Sequence, residues 1–355
     1  MKGFAKLGGF KFSKATLGKM AFLAALLILP IFESDPFLLH ILIMSMFWAA
    51  AGGGWNIVGG YSGQLSLGHA VFFGLGAYAC ALLLILWAIP PIIGALFGAL
   101  ISILAALFIT FPTSRLRGPY FALATLAFGE SIRIIFLLLK DVTGGAIGLG
   151  VPAIGEIPFI GERSMGYALK GDPIVYLYFV SKAPYYYFTL ALMLIVLCIS
   201  HKVENSKFGI FLESIRENED AAMSLGVPTL KYKLYASIVS AAITSICGSF
   251  YAVYIRYVTP YTVFNLMFSV QMAIVTILGG MGTVWGPVIG SFILTPASEA
   301  LRVFLSGRLA AGHLVVYGAI MIAIIMLLPK GITPSLRLRF RRSPRPTPRD
   351  GDGVA

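Results

Sequence analysis

Few residues in this 355-residue chain could do acid–base or ligand chemistry. Glu130 and Arg133 stand three apart, as do Glu299 and Arg302. On a helix that spacing puts both side chains on one face, where they can pair. His40, His69, His201 and His313 are scattered, without metal-ligand spacing. Cys80, Cys198 and Cys247 lie in apolar runs and read as small packing residues, not as a metal site or disulfide framework. A G-x-x-x-x-G-K-[ST] phosphate loop is missing, because Gly18–Lys19 is followed by Met20 and lacks the earlier glycine. The expectation is therefore no catalytic residue, no metal, no cofactor and no ATP hydrolysis by this chain.

Two glycine clusters carry potential of another kind. Residues 59–69 read "GGYSGQLSLGH", where Gln64, Ser66 and His69 add polar groups. The later cluster contains Gly279, Gly280 and Gly282. Small residues allow close helix packing, which is the structural reading of both. The functional reading is broken or re-entrant helices lining a translocation path, because irregular backbone at membrane depth is tolerated only against protein or water. Glu130 and Arg133 fall mid-span. A central charge costs about 2.5–3.5 kcal/mol on insertion scales, so this candidate intramembrane ion pair must face protein or itself.

The elements that position these residues follow from composition. The chain is 58% hydrophobic and 12% charged, with a mean hydropathy of +0.87. Soluble domains carry roughly 25% charge. Apolar stretches of span length recur, and they are continuous rather than alternating, so helices rather than a barrel satisfy the backbone. The expected fold is all-α, a polytopic transmembrane helical bundle of about ten spans. These fall near 20–33, 37–58, 70–89, 92–111, 121–139, 185–201, 234–255, 262–281, 284–305 and 313–329. Lysines precede the first span and arginines follow the last, so positive charge puts both termini in the cytoplasm. The layout is a basic segment 1–19, a transmembrane domain 20–334 and a basic, Pro-rich, disordered tail 335–355. Alternation makes 141–184 an external loop and 202–233 a cytoplasmic one. No small-x-small site follows the first apolar run, which reads as an uncleaved span. Basic ends flanking spans serve topology and lipid contact, so no nucleic-acid partner is expected.

The cytoplasmic loop carries "RENEDAAMSLGVPTLKYK", residues 216–233. Phe208, Phe211, Leu212 and Ile215 form one helical stripe, which Ala222 continues. Gly226 and Pro228 end the helix. One short amphipathic helix is expected. Four acids between Glu213 and Asp220 face one base, Arg216. Lipid-surface helices are usually basic on the polar face, so the charge favours a protein partner.

"DAAMSLG", residues 220–226, resembles the EAA-x-x-x-G signature of ABC importer permeases, with Asp220 in place of Glu. "GGWNIVGGYSGQLSLGHAVFFGLGAYACALL", "LRGPYFALATLAFGESIR", "TGGAIGLGVP" and "ILGGMGTVWGPVIGS" follow in the order seen in the branched-chain amino-acid ABC transporter permease family, the Liv-type M subunit in particular. The resemblance covers most of the chain, though not its Arg/Pro-rich tail. It implies a permease of the bacterial inner membrane, with a sister permease subunit, two cytoplasmic ATPase subunits and an extracytoplasmic solute-binding protein. It implies coupling to the ATPase through Glu219, Asp220, Ala221, Ala222 and Gly226. An ATP-driven importer needs no proton relay, which favours a structural role for Glu130 and Arg133. Permeases of this class for urea, amides or other amino acids stay open as alternatives. An ion-coupled secondary transporter is a more distant one, and a membrane enzyme lacks a visible constellation.

Overall fold

The computed structural model describes residues 14–305 except 33–34, 153–154, 162, 165–171, 173–174 and 180, and also residues 318 and 331–333. Long helices dominate. They are α1 (Lys14–Phe32), α2 (Pro36–Asn56), α3 (His69–Trp87), α4 (Pro91–Thr113) and α5 (Pro119–Leu138), followed by the single turn α6 (Lys140–Thr143). Then come α7 (Ala183–Glu204), the short α8 (Lys207–Glu217) and α9 (Glu219–Ser224), α10 (Thr229–Ile255), the turn α11 (Pro260–Val263), α12 (Leu266–Gly279) and α13 (Gly286–Leu305). Proline opens α2, α4 and α5, where a missing N–H costs nothing. Asp35 caps α2 by accepting from Phe37 N at 2.9 Å.

By length and composition, seven helical segments among the described residues can cross a membrane: Pro36–Tyr61, α3, α4, α5, α7, α10 and Pro260–Gly279. The apolar part of α1, Ala21–Phe32, is shorter. Of the expected span at 313–329 only residue 318 is described, and the N-terminal 13 residues and the tail 335–355 lie outside the described residues. The helical class expected from sequence is present, with one addition. Four two-residue strands, β1 (Leu149–Gly150), β2 (Phe159–Ile160), β3 (Arg163–Ser164) and β4 (Tyr257–Val258), form an antiparallel sheet in the order β3-β2-β1-β4. Glycines at positive φ, including Gly144, Gly148 and Gly161, break any helix there.

Lipid tails are as apolar as leucine, so contact between spans depends on close approach rather than on escape from water. The centre of the bundle shows this. α10 packs against α3 and α4, while α2 packs against α13 and α7. A Cβ at Gly76 would overlap the Ser245 carbonyl, and one at Gly248 would overlap that of Phe73, so α3 and α10 touch backbone to backbone. Phe47, Trp55, Phe73 and Tyr78 are buried around this contact.

Hydrogen bonds sort the connections into two ends. At the sheet end, Lys182 Nζ donates to Pro36 O at 3.0 Å, Tyr176 Oη to Ala88 O at 3.1 Å, and Val151 N to Arg256 O at 2.9 Å. These tie the segment after α5 to the starts or ends of α2, α3 and α10. The α2–α3, α4–α5, α7–α10 and α12–α13 connections meet at the opposite end, here called the loop end.

Candidate functional site

The α7–α10 connection departs from the single helix expected. It is two helices, because Asn218 adopts extended backbone at φ −160° and ψ 107°. Its Oδ1 accepts from Ala221 N at 3.1 Å and starts a new helix. An Asn side chain competes with the helical ladder, which is why the break falls there. The apolar stripe holds across the break. Leu212, Ile215 and Ala222 are buried, and Phe208 and Phe211 pack on the Tyr232 ring of α10 at 6.0 and 4.8 Å. Ser206 caps α8 through Gly209 N at 3.2 Å. Gly226 closes α9 at φ +83°.

The acid surplus of this segment is met within the chain. Arg117, from the α4–α5 loop, donates to both Asp220 oxygens at 2.8 and 2.6 Å. Its Nε lies 3.7 Å from Glu219. Lys233 Nζ reaches Glu219 Oε1 at 2.5 Å and Ser114 O at 3.3 Å, and the lysine side chain is only 3% exposed. Glu213 and Glu217 pair with Arg216. The two hydrogen bonds from Arg117 hold the Asp220 carboxyl below its ordinary value and raise the guanidinium. The excess of acids is therefore not itself a mark of an outside partner. Its counter-charges are Arg216 within α8 itself, Lys233 of α10 and, from a loop distant in sequence, Arg117.

Of the expected coupling residues, Asp220, Ala221 and Gly226 are exposed, Glu219 is half-buried and Ala222 is buried. Ala222 anchors α9 to the bundle. What projects outward is Met223 and Leu225, the latter 86% exposed, beside an apolar hollow lined by Gly226, Val227, Pro228 and Leu230.

The two glycine clusters meet. After Asn56 the chain makes a π-helical turn, Ile57–Tyr61, and stays irregular to Gly68. Asn56 Oδ1 accepts from Gly282 N at 2.9 Å, and its Nδ2 donates to Thr283 O at 3.0 Å. Gly279 packs against Gly286 and Gly290, which draws α12 and α13 together. Gly280 turns the chain at φ +125°. Deeper in the bundle, His69 bridges Ser66 Oγ at 3.0 Å and Ser240 Oγ at 2.7 Å, and Ser240 donates to Gly54 O at 2.7 Å. The Gln64 amide is buried, with neither of its polar atoms hydrogen-bonded among the described residues.

The family described as branched-chain amino acid transport system, permease component, matches residues 37–325. The chain belongs to this family. The high-affinity branched-chain amino acid transport system permease protein LivM of Escherichia coli is 30% identical, over 96% of this chain and 82% of LivM. LivM of Salmonella typhimurium is also 30% identical, over 92% of this chain and 78% of its own. The probable branched-chain amino acid transport permease protein LivH of Methanocaldococcus jannaschii is 28% identical over 41% of this chain and 46% of its own. No solved structure matches significantly.

In this multi-pass membrane permease, Glu130 and Arg133 stand apart from the loop end. They pair with each other, Arg133 Nε lying 3.0 Å from both Glu130 oxygens, and the guanidinium sits 5.4 Å from the Tyr261 ring centre. The pair lies on the outward face of α5, the least buried of the seven candidate spans. Glu299 and Arg302 pair at 2.7 Å on α13. Sequence spacing does not single out Asn56, Lys233 or Ser240. A basic α4–α5 loop on the same side as an acidic helix was the available hint for Arg117.

Proposed function

We propose that the chain is the transmembrane permease subunit of an ATP-binding-cassette importer, carrying branched-chain amino acids delivered by an external solute-binding protein. The observation that carries this reading is the α8–α9 elbow standing out at one end of a bundle of membrane-long helices, in a chain of this permease family. One of the two ATPase subunits docks at the elbow against Asp220, Ala221, Met223, Leu225 and Gly226, while Glu219 and Ala222 hold α9 to the bundle. ATP-driven closure moves α9 and switches the surrounding spans between outward and inward access.

The loop end is cytoplasmic in this reading, because Arg115, Arg117, Lys202 and Lys207 lie there. The spans number ten: α1 to α5, α7, α10, α11–α12, α13 and one between 313 and 329. Support comes from Thr333 Oγ1, which donates to Gly279 O at 2.5 Å and so returns the chain to the loop end. The basic segment 1–19 and the tail 335–355 are then cytoplasmic, in the bacterial inner membrane, and 141–184 is external.

The amino acid crosses beside the recessed turn that holds Gln64, Ser66 and His69 and the paired turn at Gly279, Gly280 and Gly282. Irregular backbone there is covered by protein, as the bilayer requires. The sister permease covers the outward face of α5, because an ion pair at mid-membrane is poorly solvated by lipid.

The test is purification of the complex from native membranes. The ATPases, sister chain and binding protein should co-purify, and Leu225→Asp should release the ATPases while the permease still inserts. Full retention of the ATPases by that variant would remove the docking role. A binding protein that took urea or a short amide in preference to leucine, isoleucine and valine would overturn the substrate.

A further inference from the structure

Arg216 stands in the last turn of α8, yet its side chain turns inward and is only 25% exposed. Glu213 and Glu217 hold Nη2 at 3.3 and 3.2 Å. The other nitrogen, Nη1, donates to the carbonyl of Gly60 at 3.0 Å. Gly60 belongs to the π-helical turn that ends the second long helix. An arginine serving α8 alone would be satisfied by its two surface acids. This one also bonds an element 156 residues away in sequence.

Two turns are shaped to admit it. Gly63 has φ +72°, and a Cβ there would lie 2.7 Å from Arg216 Cγ. Gly282 also has φ +72°, and a Cβ there would overlap Arg216 Nη1. Asn56 joins the two turns by accepting from Gly282 N and donating to Thr283 O. The end of α2 and the α12–α13 turn are thus one hydrogen-bonded unit, and the Arg216 guanidinium is inserted into it.

We infer that Arg216 is the positioning residue that carries displacement of the α8–α9 elbow into the paired glycine turns of α2–α3 and α12–α13. The inference rests on the reading that ATPase movement enters at the elbow. The planar fork suits the task, because it bonds two elements at once through separate nitrogens. Glycines at positive φ give the turns the freedom to follow. Gly63 adjoins Gln64, so the displacement reaches the recessed turn that carries Gln64, Ser66 and His69.

The test uses the whole transporter in proteoliposomes: this permease, its sister chain, the ATPases and the binding protein. Leucine uptake and ATP hydrolysis are read in the same vesicles. Arg216→Ala should assemble, keep basal ATP hydrolysis within twofold, and move at least tenfold less leucine per ATP. Arg216→Lys keeps the charge without the fork and should restore less than half of that ratio. Gly63→Ala should lower the ratio in the native background and change it less in the Arg216→Ala background, where the overlapping Cγ is gone. Assembly, hydrolysis and uptake falling together at a constant ratio mark a merely structural arginine and overturn the proposal. So does a native ratio in Arg216→Ala. Uptake by the unaltered complex that persisted without ATP would overturn the importer reading, and this proposal with it.

Discussion

At the scale of single residues, the pairs that tie α9 to the bundle differ in solvent exposure, and so in consequence. Asp220 and Arg117 are open to water, where screening keeps an ion pair weak. Their bond should matter for the position of α9 more than for global stability. The sign of its pH dependence follows from the lowered carboxyl. A depressed folded-state value stabilises the paired form above the ordinary aspartate range, near about 3.9, and that contribution is lost as pH falls through the folded-state value. Protection of the Ala221 and Ala222 amides against hydrogen exchange, relative to intrinsic rates, should therefore differ between the native permease and Asp220→Asn at pH 7 and converge as pH drops below 4; a gap that persisted or widened would contradict the assignment. Lys233 is the opposite case, since it is buried against Glu219 and the Ser114 carbonyl. Lys233→Met should cost about 1–3 kcal/mol by stranding Glu219, and the double change with Glu219→Gln should recover most of it. A double loss equal to the sum of the separate Lys233→Met and Glu219→Gln losses would show that the two residues do not interact.

At the scale of elements, the elbow depends on two local devices. Asn218 ends α8 and caps α9, and α9 has only six residues. So short a helix has no stability of its own. Asn218→Ala should cost about 0.5–2 kcal/mol, expressed as faster hydrogen exchange at Ala221 and Ala222, while Asn218→Asp should stay near native. Unchanged exchange in the alanine variant would mean that packing alone holds α9. Gly226 has open space around its Cα, so Gly226→Ala meets no clash and pays only for its left-handed backbone, about 1 kcal/mol. The charged residues of this segment were legible as an element outside the membrane. The break at Asn218 was not, because the apolar stripe runs on across it, and only the backbone at that residue separates one helix from two.

At the scale of the whole molecule, α5 is the least buried of the seven candidate spans among the described residues. Tyr120, Leu123, Glu130, Ile134 and Leu138 lie along its exposed face. Replacing Glu130 and Arg133 together by leucine discriminates between its neighbours. If lipid covers the face, the double variant should be as stable as the native protein or more so, with the complex intact. If the sister permease covers it, the sister chain should be lost on purification, and a cysteine at Ala127 in the native background should cross-link to it. The bundle also shows why both glycine clusters resisted a reading by type alone. Gly279 serves close helix packing, whereas Gly63 and Gly282 admit a side chain from another connection.

Helical class and family, and the seven segments among the described residues long and apolar enough to cross a membrane, were legible from local information. Twenty-residue apolar runs must become helices in hydrocarbon, and their prolines and caps mark their starts. The charge of the connection between α7 and α10 likewise reads as a segment outside the membrane. Arg216 answers Glu213 and Glu217 locally on α8, but which group answers Asp220, and what else Arg216 reaches, was decided only by tertiary structure. Arg117 lies 103 residues from Asp220, and Gly60 lies 156 residues from Arg216. No periodicity spans such distances, because it reports the face of one helix and is silent on what that face meets. The packing of α2, α10 and α12 brings these residues to the loop end, and there the amino-acid types acquire their partners.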